Sequence, residues 1–301
     1  MSKRWNERRP AGRITYVDGQ YVRHGAAAVH IEDRGLQLGD SVYEVCRIAE
    51  GRFLDEEEHL DRLERSLGEI EMAMPMSRAA LKFVMAETAR RNAVGEGLLY
   101  LQVTRGALRR DHPIPKPAPK PTLIVTARAI DTDAIARRHA EGVAVVTAPD
   151  KRWGRCDVKS TQLLANLLAK TAAKRAGAFE AWLIDHDGFV TEGGSTTAWI
   201  VDSAGAIVTR ELSHAILPGV TRRVVLEVAG AAQIPIIERR FTPSEAASAR
   251  EAFLTSATGG AVPIVTIDGK AVGDGKPGPL TRRIMELYAQ RSQKIAGMRP
   301  L

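Results

Sequence analysis

Lys159 is the residue with the plainest chemical use. In the run Trp153-Gly154-Arg155-Cys156-Asp157-Val158-Lys159-Ser160 it stands directly before an Ala/Leu-rich stretch that predicts a helix over 160–176, ended by Gly177 as the C′ residue. A cation at a helix start opposes the dipole, which favours the neutral amine that Schiff-base chemistry requires. The position equally suits a solvated helix-entry lysine. In Thr191-Glu192-Gly193-Gly194-Ser195-Thr196-Thr197 a carboxylate stands at a strand end beside small residues, as a ligand's charged partner or as a structural glutamate in a turn. Leu217-Pro218-Gly219-Val220-Thr221-Arg222 opens a helix whose free N–H groups and Thr hydroxyl make a ready phosphate cradle. Thr255-Ser256-Ala257-Thr258-Gly259-Gly260 is a second hydroxyl-rich loop after a strand. None of these features is specific by itself.

Elements of both kinds must position them. Residues 14–17 and 20–23 flank Asp18-Gly19 and predict a hairpin with a type I′ turn. Residues 41–49 alternate as a strand. Asp55 predicts a helix cap, with Glu58 completing a capping-box-like start. Leu60, Leu63, Leu67 and Ile70 form that helix's buried stripe, and His59 and Arg62 share one of its faces. A helix at 77–92 and a strand at 98–104 follow. Pro113, Pro115, Pro117, Pro119 and Pro121 then forbid helix and favour an extended loop. After a strand at 123–127, the second half mixes strands (143–147, 181–184, 189–191, 197–201, 206–209, 234–238, 252–254) with helices at 219–229 and from 279, and a hairpin at 264–272. This pattern predicts two α/β (α+β) domains, at 13–130 and 131–290, between a basic N-terminal extension at 1–12 and a tail at 291–301.

Composition narrows the class. The chain has 301 residues, 44% hydrophobic and 26% charged, which excludes collagen-like and wholly disordered readings. Uncharged apolar runs fall short of the ~18–20 residues that span a bilayer. No apolar stretch follows the basic start, and two cysteines fit a reducing cytosol, so a cytoplasmic protein is expected. The net charge of +7 fits nucleic acid or anionic small molecules, but aromatics are only 5% and none interleave with a basic stripe. A non-catalytic nucleic-acid-binding protein is therefore the remote alternative. No zinc-ligand spacing, nucleophile elbow, P-loop or dinucleotide fingerprint occurs, and no metal is expected.

Taken together and in order, the segments resemble the class IV aminotransferases, the fold type IV pyridoxal-phosphate enzymes, and within them the D-amino-acid transaminases. The resemblance is carried by Glu32-Asp33-Arg34-Gly35 with Gly39-Asp40 and Val42-Tyr43-Glu44, by Glu58-His59-Leu60-Asp61-Arg62-Leu63, and by Gln102-Val103-Thr104-Arg105-Gly106. It continues through Arg152-Trp153 and the Lys159 run, Thr191-Glu192-Gly193, and Leu217 with Gly219-Val220-Thr221-Arg222. It implies a smaller N-terminal and a larger C-terminal domain with pyridoxal 5'-phosphate between them. It makes Lys159 the catalytic residue, which forms the internal aldimine and then shuttles the proton. It sets Glu192 against the pyridine nitrogen and gives the phosphate to Arg62, through two parallel donors, and to Val220, Thr221, Ser256 and Ala257.

Substrate choice is implied by other positions. Tyr43, with Arg110 and His112 from the loop after the Val-Thr-Arg-Gly strand, matches the family's trap for the α-carboxylate. A homodimer is implied, because the family brings that loop across from the partner subunit. The expected reaction is ping-pong transfer of the amino group of D-alanine or D-glutamate to 2-oxoglutarate or pyruvate. An L-branched-chain aminotransferase and an aminodeoxychorismate lyase are the alternatives of the same fold; neither is expected to carry the Arg-x-His pair. Ser41, Thr197 and Ala257 depart from the usual Gly, Asn and hydroxyl residue. Asp111 stands where it could pair with Arg110 and divert it from substrate.

Overall fold

The expected N-terminal hairpin forms as β1 (Ile14–Val17) and β2 (Gln20–Arg23), with Asp18 and Gly19 both at positive φ in the turn. The computed structural model describes residues 12–297. Residues 1–11 of the basic N-terminal extension and 298–301 of the tail lie outside them. The chain divides into two units: the first runs to Ile130 and includes Lys159–Thr161, and the second comprises Asp131–Val158 and the chain from Gln162 onward.

The first unit adds α1 (Arg34–Leu38), β3 (Ser41–Ala49), β4 (Arg52–Phe53), α2 (Glu56–Glu69), α3 (Arg78–Arg91), β5 (Gly97–Thr104) and β6 (Thr122–Ala129). Its sheet is antiparallel throughout, in the order β2-β1-β6-β5-β3-β4. The stripe of α2 is buried as its spacing predicts: Leu60, Leu63 and Leu67 lie in the core with Leu99 and Leu101 of β5. Two local details differ. Asp55 adopts a left-handed conformation (φ +54°) and its side chain does not cap α2. Ile70 is only partly buried, because α2 stops at Glu69 and Ile70 is already its C-cap.

The second unit contains α4 (Thr132–Glu141), β7 (Val143–Pro149), α5 (Leu164–Arg175), β8 (Glu180–Ile184), β9 (Val190–Gly193), β10 (Thr197–Val201), β11 (Ile207–Thr209), α6 (Val220–Ala231), β12 (Ile236–Glu238), α7 (Pro243–Ala247), β13 (Glu251–Ser256), β14 (Gly260–Ile267), β15 (Lys270–Ala271) and α8 (Pro279–Gly297). Its sheet is mixed, in the order β12-β11-β10-β13-β14-β7-β8-β9, with β15 paired to β14. Alternation along β10 serves a core on each face. Trp199 and Val201 join Phe253, Val225 and Ile284, whereas Ala198 and Ile200 join Trp182, Val208 and Phe241. Helix α5 begins at Leu164, not at residue 160, because Lys159–Thr161 is taken up as an extended segment beside β3.

Candidate active site

In the first unit the site is built on the two faces of β3. Tyr43 and Glu44 are consecutive, so the pleat sends them to opposite sides. Glu44 falls on the face with Val42, Cys46 and Ile48 and is completely buried beneath α2. A carboxylate there must be paired, and α2 supplies the partners one turn apart. Arg62 Nε and Nη2 donate to the two Glu44 oxygens at 2.7 and 2.8 Å, and His59 Nδ1 lies 2.8 Å from Oε2. Burial alone would raise the Glu44 pKa, but the Arg62 charge, its hydrogen bonds and the His59 bond outweigh it and hold the carboxyl well below the usual range. The parallel pair of Arg62 donors, expected on a phosphate, is therefore engaged by Glu44.

Tyr43 lies on the other face, stacked on Tyr100 at 5.7 Å. Lys159 is brought to it by backbone pairing with β3: Tyr43 N–H donates to the Lys159 carbonyl (3.0 Å) and Thr161 N–H to the Ser41 carbonyl (3.1 Å). Lys159 N–H points to the Ser66 hydroxyl of α2, 3.3 Å away. The Lys159 ammonium sits over the Tyr43 ring, 4.2 Å from its centroid, and meets no carboxylate among the described residues. Because Lys159 lies outside the first turn of α5, the helix-dipole argument does not apply to it. A hydroxyl chain fixes the same segment: Tyr100 donates to Gln102, the Gln102 amide donates to Ser41 Oγ, and Ser41 Oγ lies 2.5 Å from Thr161 Oγ1. Ser41, where glycine is usual, thus ties β3 to the lysine segment.

Arg110 and His112 are exposed in the loop after β5. Asp111 does not pair with Arg110; its Oδ1 accepts from the His112 amide at 2.8 Å.

In the second unit, Glu192 lies within β9 and is buried. One oxygen accepts both from Arg152 Nη1, at short range, and from the Leu217 amide at 3.2 Å. Arg152 is shared. Its Nε and Nη2 also donate to Asp150 at 3.0 and 2.7 Å, and Asp150 accepts from Thr191 Oγ1 at 2.8 Å. Burial raises the Glu192 pKa, and the divided Arg152 does not bring it back. Arg152 is visible in the sequence only as part of a matching segment. The signal that could have singled it out is the Asp-x-Arg spacing at the end of a strand, which lets one guanidinium fold back on its neighbour's carboxylate.

The α6 N-terminus and the 256–260 turn approach the same end of this sheet. Gly219 is the N-cap of α6, no side chain caps the helix, and Val220 and Thr221 are buried. A Cβ on Gly219 would come within 3.1 Å of the Thr197 hydroxyl, and Thr197 pairs with Thr255 next to Ser256. The turn is tightened from within, since Ser256 Oγ accepts from the Gly259 amide at 3.2 Å. His139 of α4 meets the Gly259 carbonyl at 2.7 Å. Ala257 lies in the turn and offers only its backbone.

Residues 41–267 match the family model for amino-transferase class IV. The chain belongs to the class IV aminotransferases. It is 38% identical to a D-alanine aminotransferase of Listeria monocytogenes serotype 1/2a (strain 10403S), over 93% of this chain and 96% of that one. It is 40% identical to a D-alanine aminotransferase of Bacillus licheniformis, over 89% and 93%. Among solved structures it is similar to the branched-chain aminotransferase of the thermophilic archaeon Thermoproteus uzoniensis with norvaline, at a TM-score of 0.81, 26% identity and 94% and 95% of the two chains. This class IV aminotransferase therefore has the two-domain, mixed α/β architecture expected of it, and no described helix is long and apolar enough to cross a membrane.

Proposed function

We propose that the protein is a pyridoxal-phosphate-dependent D-amino-acid transaminase that exchanges amino groups between D-alanine or D-glutamate and 2-oxoglutarate or pyruvate. The observation that carries this reading is the Lys159 amine, fixed to β3 through its own backbone and left without a carboxylate partner among the described residues. Held amines of this kind suit covalent attachment of a carbonyl compound. The D-alanine aminotransferases at 38–40% identity support the substrate class.

The residues fit the cofactor. The uncapped start of α6 and the close approach at Gly219 suit a phosphate, and a buried carboxylate with a raised pKa suits a ring nitrogen that shares a proton. When bound, pyridoxal phosphate supplies the electron sink that stabilises the charge left at Cα. Lys159 Nζ would accept the Cα proton and return it to the cofactor carbon on the far side of the transferred nitrogen. Glu192 would hold a proton at the ring nitrogen, one of its oxygens being held by Arg152 and the Leu217 amide. Val220, Thr221, Ser256 and the Ala257 backbone would hold the phosphate; Arg62, the other residue expected there, gives its two parallel donors to Glu44. Tyr43, Arg110 and His112 receive the α-carboxylate.

We assign the protein to the cytoplasm and to a homodimer. The exposed leucines Leu164, Leu167 and Leu168, at helical spacing on α5, support a partner surface, and the mass in solution tests the dimer.

The deciding experiment assays D- and L-alanine, D-glutamate and L-leucine against pyruvate and 2-oxoglutarate. Turnover is expected with the D-enantiomers and stops in Lys159→Ala. Preference for L-leucine supports the branched-chain reading instead, and pyruvate release from aminodeoxychorismate without an acceptor supports the lyase.

A further inference from the structure

The Asp-Arg-Gly and Gly-Asp segments at 33–40 have no role in the site as described, yet they build a clamp on the loop that carries Arg110 and His112. Arg34 is almost fully buried in α1. Its Nη1 donates to the Asp111 carbonyl at 2.6 Å, its Nη2 to the His112 carbonyl at 3.3 Å, and its Nε to Asp40 Oδ2 at 2.8 Å. Buried Arg105 donates to the same Asp40 oxygen at 2.7 Å, while its other N–H groups are taken by the Ile70 and Glu71 carbonyls. Asp40 is thus held between two guanidinium groups, which keep it ionised against the cost of burial.

Backbone bonds fasten the same region. Arg34 N–H donates to the Gly106 carbonyl at 3.0 Å, Leu108 N–H to the Glu32 carbonyl at 3.3 Å, and Arg105 N–H to the Asp40 carbonyl at 3.1 Å. These fix the loop only as far as Leu108. Beyond it, Arg34 is the tether. In an extended chain successive carbonyls point to opposite sides, so two adjacent ones can meet a single planar fork only where the chain bends. The Asp111 side chain, accepting from the next amide, supports that bend. The fork grips the backbone and leaves the Arg110 and His112 side chains exposed.

We propose that Arg34, held in place by Asp40, is a positioning residue for substrate: by bending the backbone at 111–112 it sets how Arg110 and His112 are presented to the α-carboxylate. This rests on the carboxylate role proposed above for those two residues.

The test is a double-mutant cycle on the holoenzyme with D-alanine and 2-oxoglutarate. Arg34→Met is expected to raise KM for both substrates about tenfold or more with kcat within about threefold, since a displaced anchor weakens binding at little cost to the chemical step. Cofactor affinity of the apoprotein, read by fluorescence titration, stays within about twofold, and trypsin cleaves after Arg109 and Arg110 several times faster than in the parent. In an Arg110→Leu background the same change adds less than about twofold, because the effect passes through Arg110. Arg34→Lys keeps a charge on Asp40 but cannot bridge both carbonyls, and is expected to show the same effect in milder form. It carries the cycle if Arg34→Met does not fold. An unchanged KM in both Arg34 variants, or an equal rise with and without Arg110, overturns the proposal. If Arg110→Leu alone leaves KM unchanged, the carboxylate role itself fails.

Discussion

Glu44 in the first unit and Glu192 in the second are both buried carboxylates facing an arginine, and their proton affinities are driven in opposite directions. Burial opposes ionisation at both. The difference lies in how the arginine is used. Arg62 gives both parallel donors to Glu44, and His59 adds a third. Arg152 divides itself between Glu192 and Asp150, and Glu192 takes its bonds through one oxygen. A carboxylate held by two parallel donors overcomes desolvation; one held through a single oxygen by an arginine shared with another carboxylate does not. Glu44 is thereby fixed as an anion that orients α2, while Glu192 keeps an affinity for the proton that its proposed role needs.

The largest expected effect comes from breaking the bidentate pair. Glu44→Gln leaves Arg62 charged and buried without its carboxylate, which costs about 3–5 kcal/mol. Differential scanning calorimetry should show a fall in Tm of roughly 10 °C. The sign with pH is fixed by the direction of the shift. A depressed carboxyl stabilises the fold above its ordinary pKa of about 4.3, and that contribution is lost as the pH falls toward the folded-state value. The gap between parent and variant should be widest at neutral pH and narrow below about pH 4. A gap that stays constant with pH sinks the ion-pair account.

The shared pair should answer differently. Glu192→Gln removes the carboxylate proposed to hold a proton at the cofactor nitrogen, so kcat should drop by about 10²–10³, in the range of other preorganised electrostatic contacts. Its effect on Tm should be small, because Arg152 keeps Asp150 as a partner. A carboxyl with a raised pKa favours the fold below its ordinary pKa and loses that contribution as pH rises through the folded value, so Glu192→Gln should gain relative stability as the pH rises above about 4. A large Tm loss with kcat intact would reverse the roles assigned to the two glutamates.

Much of this contrast is legible in the chain, but not its decisive part. The leucine stripe of α2, the shared face of His59 and Arg62, and the order of Lys159, Glu192 and the α6 start follow from local spacing. The partner of Arg62 does not, because Glu44 sits on another element and only strand pleating turns it inward. The same limit explains Lys159: local composition continues the helix back to residue 160, whereas pairing with β3 pulls 159–161 into extended form. Helix α4 escapes a sequence reading because its half-buried face is made of Ala134, Ile135, Arg138 and His139, of which only Ile135 is a large apolar residue. Arg34 and Asp40 are visible as a motif whose purpose depends on a loop far along the chain.

The smallest expected effect tests the shared arginine from behind. Thr191 Oγ1 lies within reach of Asp150 Oδ2 at 2.8 Å and of the Leu183 carbonyl at 3.1 Å, accepts from Arg152 Nη2 at 3.3 Å, and contacts neither Glu192 oxygen. Thr191→Val keeps the shape but deprives Asp150 of that donor and Arg152 Nη2 of its weaker, 3.3 Å acceptor. Loss of one such hydrogen bond costs about 1 kcal/mol, so Tm should fall by only a few degrees. Asp150 then leans harder on Arg152, and what Arg152 gives to one carboxylate it withholds from the other. The Glu192 proton affinity should therefore rise further, moving the acid limb of the kcat–pH profile upward while kcat at its plateau stays within about threefold. An acid limb that does not move means that Arg152 serves its two carboxylates independently, and the contrast between a bidentate and a shared arginine then fails at its weaker end.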